Sequence, residues 1–228
     1  MELNLSKKYY LCRFIKSQKM NQGLTATRFC SGAQKEINAQ AFANQKKAQE
    51  VLSESGIAEI WETAGCRVNI VGSLRMGLLA THRDIDLHVY SSPITTESSF
   101  AIAAKIAQNP KVTEIRCING LHTNEHCVAW HLFYKCDNGE IWKFDIIHIE
   151  DGTEYDAFFE KMADRIVEVM TPEQRDTILR LKFETPDGKD YHGVEYYEGV
   201  IAGGVKSMPE FENWVIEHRK KKPYYWIP

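Results

Sequence analysis

The sequence predicts an α+β fold, in which a mixed sheet is flanked by helices and followed by a C-terminal helical region. Three observations predict it. Helix-like and strand-like patterns alternate up to about residue 110, strand-like runs cluster between 112 and 149, and amphipathic helical patterns fill the chain beyond 150. We therefore expect a sheet-bearing domain with an N-terminal helical arm over residues 1–150, and a helical region over residues 151–228.

The composition is that of a globular chain large enough for one core or a core with a small satellite. Of its 228 residues, 43% are hydrophobic and 26% are charged. The net charge of -3 gives no overall positive field of the kind that a long nucleic-acid footprint requires. No apolar run approaches the roughly 20 residues that cross a bilayer, and residues 1–17 lack the apolar core of a secretory signal. We expect a cytoplasmic chain, with no membrane partner, whose six cysteines are reduced thiols.

The apolar pattern in the N-terminal third of the chain predicts two consecutive helices. Residues 1–32 show no clean period and stay unassigned. A helix begins at about Ala33 and ends at Ser55-Gly56, where glycine is a typical C-terminal stop. A short helix then starts at Ile57 and closes at Gly65.

The middle of the chain predicts a sheet with two helices inserted. Alternating apolar residues and turn residues place the strands, and a Thr cap with a following Pro places the longer helix. In chain order the elements are a strand at 67–71, a short helix at 74–79, a strand at 84–90, a helix at 97–108 capped by Thr95 or Thr96, and strands near 112–118, 126–136 and 141–149.

Beyond Glu150 the apolar period becomes helical. Residues 155–169 carry an apolar stripe opposite charged residues. Thr171-Pro172-Glu173-Gln174 combines an N-cap, a proline at the first helical position and a glutamine at the third, so a helix runs from there to about Phe183. Two more helices are expected, one over 193–202 and one opened by Ser207 that ends in the basic run 219–222.

Two carboxylates on one predicted strand carry the first chemical signal. Side chains alternate along a strand, so Asp84 and Asp86 lie on one side while Ile85 and Leu87 enter the core. Two carboxylates this close repel each other. A divalent cation between them would relieve that repulsion, and hard oxygen ligands suit Mg²⁺, with Mn²⁺ as the alternative.

Upstream of these acids lies a candidate phosphate-binding turn. Gly72-Ser73 stands where a strand passes into a helix and offers backbone N–H groups and a hydroxyl. Arg75 flanks this turn and could neutralise a phosphate. Lys182 lies four residues after Ile178 on a C-terminal helix, so it could reach the same cleft, although a lysine that only extends to solvent is an equally good interpretation.

A third acid stands alone in an apolar strand. Asp145 lies within 141–147, where an unpaired carboxylate would be costly, and Lys143 shares its face of the strand. Asp137 and Glu140 could compete for the same role, but they fit better in a hairpin turn. Three carboxylates from two strands could hold two Mg²⁺ ions roughly 3.5–4 Å apart.

Taken together, these residues resemble the signature of the nucleotidyltransferase superfamily with the DNA polymerase β-like catalytic fold. The resemblance covers about residues 66–149 and consists of Gly72-Ser73, ten intervening residues, Asp84-Ile85-Asp86-Leu87, and Asp145 in a later strand. It implies that the three acids are metal ligands and catalytic residues, that Asp145 is the general base, and that Ser73 contacts the outgoing phosphates. The C-terminal helices would supply further nucleotide contacts.

Two local forms are similar to particular branches of the superfamily. Gly-Ser-x-Arg-x-Gly at 72–77 is similar to bacterial oligonucleotide-synthesising members, and Arg83-Asp84-Ile85-Asp86 to lincosamide nucleotidyltransferases. Neither similarity assigns the acceptor.

The predicted function is transfer of a nucleoside monophosphate from an NTP such as ATP to an acceptor hydroxyl or phosphate, with release of pyrophosphate. We expect a small-molecule acceptor, given the acidic charge balance and the compact size. One alternative is template-independent extension of RNA ends or formation of oligonucleotides. The other is a non-catalytic nucleotide-binding module of regulatory or antitoxin-like type, against which the presence of all three acids argues.

Several residues near the predicted site are more simply interpreted as structural than as functional. We expect His88 and His148 to be hydrogen-bonded histidines within the sheet, and Arg83 to be solvated. Tyr196 and Tyr197 could stack on a base, but an aromatic pair at helical spacing is more typical of a core.

Overall fold

The computed structural model describes residues 32–186, 188–189, 191–220 and 226–228. The described residues from Glu36 onward belong to one compact unit. Most of the N-terminal arm, with Cys12 and Cys30, lies outside the described residues, as do Lys221 and Lys222.

The described residues form a five-stranded mixed sheet and eight helices, which confirms the predicted α+β class. In chain order the elements are α1 (Gly32–Ser55), α2 (Ile57–Thr63), β1 (Arg67–Ile70), α3 (Gly72–Met76), β2 (Asp84–Ser91), α4 (Thr96–Ile106), β3 (Val112–Asn119), β4 (Cys127–Lys135), β5 (Ile141–Glu150), α5 (Phe158–Val169), α6 (Pro172–Glu184), α7 (Gly193–Ile201) and α8 (Met208–Arg219).

The strand order places the acidic strands at the centre of the sheet. The order is β1-β2-β5-β4-β3, with β2 and β5 parallel and the other pairs antiparallel. In the β2–β5 register Asp86 is opposite Asp145, and Asp84 is opposite Lys143. On its other side, Asp145 is opposite His131 of β4.

Two hydrophobic clusters hold these elements together. One lies between the sheet and helices α1, α2 and α4, and includes the fully buried Trp61, Ile85 and Phe144. The other lies among α5 to α8 and takes in Leu78 and Ala80 from the segment that leads from α3 to β2. The C-terminal helices therefore pack against the chain segment that joins the predicted phosphate turn to the acidic strand.

Helix ends follow the predicted caps in two cases. Thr95 caps α4, where its hydroxyl accepts from Ser98 N at 3.0 Å. Thr171 caps α6 with Gln174, and Pro172 occupies the first helical position. At α8 the side chain of Ser207 makes no cap bond.

Two helices begin elsewhere than the pattern predicts. α3 begins at Gly72, two residues earlier than expected, and ends at Met76 because Gly77 takes a left-handed conformation. α5 begins at Phe158, not Tyr155, because Ala157 has φ 57° and cannot be part of the helix.

Within the described residues, no helix combines the length and the apolar character needed to span a bilayer. The four described cysteines, Cys66, Cys117, Cys127 and Cys136, are free thiols, as expected.

Candidate active site

Asp84 and Asp86 project from β2 into a partly buried, negatively charged space. Ile85 and Leu87, between and after them, are fully buried on the opposite face, as strand alternation predicts. Among the described residues, neither carboxylate accepts a hydrogen bond or forms an ion pair. Burial, then the charges of Asp145 and Asp84, raises the pKa of Asp86 to about 7. Burial also raises the pKa of Asp84.

Asp145 is held very differently on the neighbouring strand. Its Oδ1 accepts from His131 Nδ1 at 2.5 Å, and its Oδ2 accepts from Lys143 Nζ at 2.9 Å. His131 is not among the site residues predicted from the sequence. A signal was present, because the hairpin turn at 136–140 sets the β4–β5 register that places His131 opposite Asp145.

Gly72 lies in direct contact with the acid pair. Its φ is +62°, and a Cβ at this position would lie 2.1 Å from Asp86 Oδ2. No side chain fits there without displacing the carboxylate. The predicted phosphate turn and the acidic strand therefore form one site.

Lys182 reaches this turn from α6. Its Nζ donates to Ser73 Oγ at 2.8 Å, to Tyr197 OH at 3.1 Å and to Leu78 O at 3.1 Å. Its positive charge acts against burial by lowering the pKa of both Asp84 and Asp86. The turn, the acids and this lysine thus come together in the structure.

Tyr197 belongs to the site by its hydroxyl alone. The ring is 3% exposed and part of the core, as expected, but the hydroxyl lies 2.9 Å from Ser73 Oγ. Because Ser73 and Tyr197 are 124 residues apart, nothing local in the sequence indicates this contact. Tyr196 stacks on Phe211 at 4.5 Å and has the core role predicted for it.

Arg75 is paired away from the carboxylates. Its guanidinium donates to both carboxylate oxygens of Asp164 on α5, at 3.1 and 3.0 Å, and to Ile70 O at 3.0 Å. Its predicted contact with a phosphate stays a prediction. Glu140 pairs with Arg83, and Asp137 with Lys111, so both of these acids are engaged at the hairpin turn.

The two sheet histidines are neutral structural residues. His88 Nδ1 lies 3.3 Å from Tyr90 OH, and His148 contacts Ser91 Oγ at 2.9 Å and Ser99 Oγ at 3.1 Å. Burial lowers the pKa of each to about 4. Neither therefore carries charge near neutral pH.

The oxygen donors at this site fit a hard divalent cation. Asp84 and Asp86 are unpaired and desolvated, which disfavours their ionised forms unless a positive charge is added. As the side chains stand, no three His, Cys, Asp or Glu groups in the described residues converge on a point that could hold a metal ion. The acids repel each other, and both oxygens of Asp145 are already engaged.

No protein-family model matches the chain, and neither does any curated protein. Among solved structures it is similar to the non-canonical poly(A) polymerase complex GLD-2–GLD-3, with 10% identity, a TM-score of 0.45, and coverage of 72% of this chain and 57% of that chain. It is also similar to the RNA terminal uridylyl transferase Cid1, with 13% identity, a TM-score of 0.48, and coverage of 73% and 52%.

A third similar structure is the polymerase core of TRAMP, an RNA surveillance complex, with 14% identity, a TM-score of 0.47, and coverage of 73% of this chain and 55% of that chain. The chain thus spans about half the length of the solved structures that it matches.

Proposed function

We propose that the chain catalyses transfer of a nucleoside monophosphate from an NTP to an acceptor hydroxyl, with release of pyrophosphate. One observation carries the proposal. Two unpaired carboxylates, Asp84 and Asp86, lie beside a third on the next strand and against a glycine turn whose serine is bonded to a lysine. Carboxylates for a cation and donors for phosphates therefore meet in one place.

Asp84, Asp86 and Asp145 would hold Mg²⁺, or Mn²⁺ in its place. When bound, the metal neutralises charge on the triphosphate and on the phosphoryl group during transfer. The protein holds these carboxylates in a partly buried site, where Asp84 and Asp86 have no competing partner among the described residues.

Ser73 and Lys182 would bind the phosphates that leave. Ser73 Oγ and Lys182 Nζ are 2.8 Å apart, so one phosphate oxygen could contact both. Tyr197 OH contacts both groups and keeps them in place before the nucleotide arrives. A lysine ammonium and a hydroxyl form charge-assisted hydrogen bonds to phosphate, which are stronger than neutral ones.

Asp145 would act on the acceptor. Its carboxylate takes the proton of the acceptor hydroxyl as that oxygen attacks the α-phosphorus. The new P–O bond forms as the bond to pyrophosphate breaks, and the negative charge leaves with pyrophosphate. Asp145 occupies the side of the acid cluster that faces β4, away from Ser73 and Lys182.

A small-molecule acceptor remains the first candidate, and an RNA end is the second. The second is favoured by the sheet face next to Asp145, on which Phe133 is only partly buried and Ile118 is 61% exposed. Exposed apolar side chains on this face could contact the bases of a bound RNA.

The test offers each α-labelled NTP, with Mg²⁺ or Mn²⁺, to a panel of metabolites and antibiotics and to short RNAs. The proposal expects transfer of label to one class and release of pyrophosphate, both absent in Asp86→Asn. Mass spectrometry of the product then identifies the acceptor. NTP binding without transfer in any arm would contradict the proposal and support the non-catalytic nucleotide-binding module.

A further inference from the structure

We infer that His131 is a positioning residue that fixes the orientation of the Asp145 carboxylate toward the acceptor. The inference rests on the proposed function and adds to it a residue that the motif does not contain. It starts from one contact, 2.5 Å between His131 Nδ1 and Asp145 Oδ1.

The sheet places these two residues in contact. His131 lies directly opposite Asp145 in the antiparallel β4–β5 pair, and side chains opposite each other point to the same face. An ionised carboxylate can only accept, so the ring donates through Nδ1–H. On the other side Lys143 Nζ donates to Oδ2, and the carboxylate is held at both oxygens.

The three acids differ in the number of hydrogen bonds that their carboxylates accept. Within the described part of the chain, the side chains of Asp84 and Asp86 accept no hydrogen bond, while Asp145 accepts two. A group that must take a proton from one oxygen at one moment depends on its direction more strongly than a group that only contributes charge. The hydrogen-bond donors His131 and Lys143 are found at Asp145, the acid whose carboxylate must be correctly oriented to take a proton.

Of the two donors, His131 sets direction better than Lys143. The imidazole is planar with two side-chain torsions, whereas Lys143 ends in a compact charge on a flexible four-carbon chain. In the described residues, Asp145 is the one hydrogen-bond partner of the His131 ring.

A purely structural role explains this pair less well. Both side chains are about a quarter exposed, 27% for His131 and 24% for Asp145. Partly exposed pairs of this kind contribute little to stability. Loss of His131 should therefore change the chemical step more than the fold.

The experiment compares wild type with three variants. His131→Asn keeps a donor close to the position of Nδ1, and His131→Leu removes it at similar size. Lys111→Leu is the matched control, because Lys111 lies just before β3 near the hairpin turn and pairs with Asp137. The readouts are kcat, KM for the NTP, the melting temperature, and Mn²⁺ affinity measured by electron paramagnetic resonance.

We expect kcat of His131→Leu to fall about 10- to 100-fold, the range typical for loss of a partner that orients a metal-ligand side chain. KM for the NTP should stay within about twofold, because Ser73 and Lys182 are untouched. His131→Asn should recover most of the loss, and Lys111→Leu should behave as wild type. A fully active Leu variant, or equal losses in the Leu and Asn variants, would overturn the inference.

The Mn²⁺ titration separates this inference from the proposed function. If wild type transfers no nucleotide to any acceptor, the proposed function fails, and Mn²⁺ binding decides the role of His131. Weaker binding in His131→Leu that is restored in His131→Asn supports positioning. Equal Mn²⁺ affinity in wild type and His131→Leu then overturns it.

Discussion

One face of β2 carries the Asp84–Asp86 pair at one end and contacts the single acid Glu160 at the other, and the two sites are satisfied in opposite ways. At one end Asp84 and Asp86 accept no side-chain hydrogen bond within the described residues. At the other end Glu160 of α5 is 6% exposed, yet it accepts from Tyr90 OH at 2.8 and 3.1 Å and from Asn69 Nδ2 at 2.9 Å. Burial by itself therefore does not mark a functional acid.

The two sites differ in their hydrogen-bond partners. Burial and the charge of Glu160 raise the pKa of Tyr90, so its hydroxyl stays protonated and keeps donating. Together, Tyr90 and Asn69 make the Glu160 cluster complete without any added group. The Asp84–Asp86 cluster is incomplete in this sense, because its charge has no donor among the described residues and is relieved by an added cation or by a proton.

The largest effect should come from removing one unpaired acid. Asp84→Asn or Asp86→Asn should lower turnover at least about 10³-fold, since the metal contributes several kcal/mol to the transition state. The melting temperature should hold or rise, because the substitution relieves repulsion between the acids. Steady-state kinetics and calorimetry measure both. Retained turnover in Asp86→Asn would show that the cluster is not catalytic.

Asp145→Asn should separate chemistry from nucleotide binding. We expect transfer to slow by at least ~100-fold, in line with the ~10²–10⁴ of positioned proton transfer, while Mg-NTP binds within a few-fold of wild type. Single-turnover rates and nucleotide titrations measure the two quantities. Normal transfer once a true acceptor is supplied would remove Asp145 from the role of base.

Substitution of Glu160, whose carboxylate is already hydrogen-bonded, should lower the free energy of unfolding and leave turnover unchanged. Glu160→Leu leaves the Tyr90 hydroxyl and the Asn69 amide without their acceptor, and should lower the free energy of unfolding by about 2 kcal/mol. Turnover per folded molecule should remain close to that of wild type. Denaturant unfolding and an activity assay at low temperature test this contrast. An inactive but stable Glu160→Leu variant would contradict the structural role of Glu160.

The smallest effect should come from the phosphate turn. Ser73→Ala removes one charge-assisted hydrogen bond, worth roughly 1.5–3 kcal/mol, and part of that is recovered because Lys182 remains. NTP affinity should fall about tenfold. Thr185→Val, which removes a hydroxyl bonded to Tyr196, serves as a matched control. Unchanged affinity for all four NTPs in Ser73→Ala would mean that Gly72-Ser73 is only a turn.

Local patterns in the sequence predicted much of this site. Strand alternation placed Asp84 and Asp86 on one face, and the helix opened by Thr171 and Pro172 brought Lys182 to the turn. The hairpin register would also have indicated His131. These features depend on a few neighbouring residues, which is why the sequence predicts them.

Contacts between distant segments could not be predicted in the same way. The pairing of Asp86 with Asp145 depends on a parallel register set by the packing of more than fifty intervening residues. The contact of Tyr197 with Ser73 depends on how α7 packs against the segment after α3. The engagement of Arg75 by Asp164 likewise depends on the position of α5.

The central claim is that Asp86 is an unpaired, desolvated carboxylate held for a cation, and the pH dependence of stability tests it most directly. The pKa of Asp86 is about 7 in the folded protein and 3.8 as its ordinary value. Between these values the folded state binds more protons, so the contribution of Asp86 to stability falls as pH rises, by up to about 4 kcal/mol.

The measurement is the free energy of unfolding of wild type and Asp86→Asn from pH 4 to 8, with EDTA and with Mg²⁺. Taking the difference between the two proteins cancels the buried histidines, which titrate in the same range. We predict that wild type loses stability relative to Asp86→Asn as pH rises through this window in EDTA, and that Mg²⁺ restores it in wild type alone. Parallel curves for the two proteins, unaffected by Mg²⁺, would contradict the account.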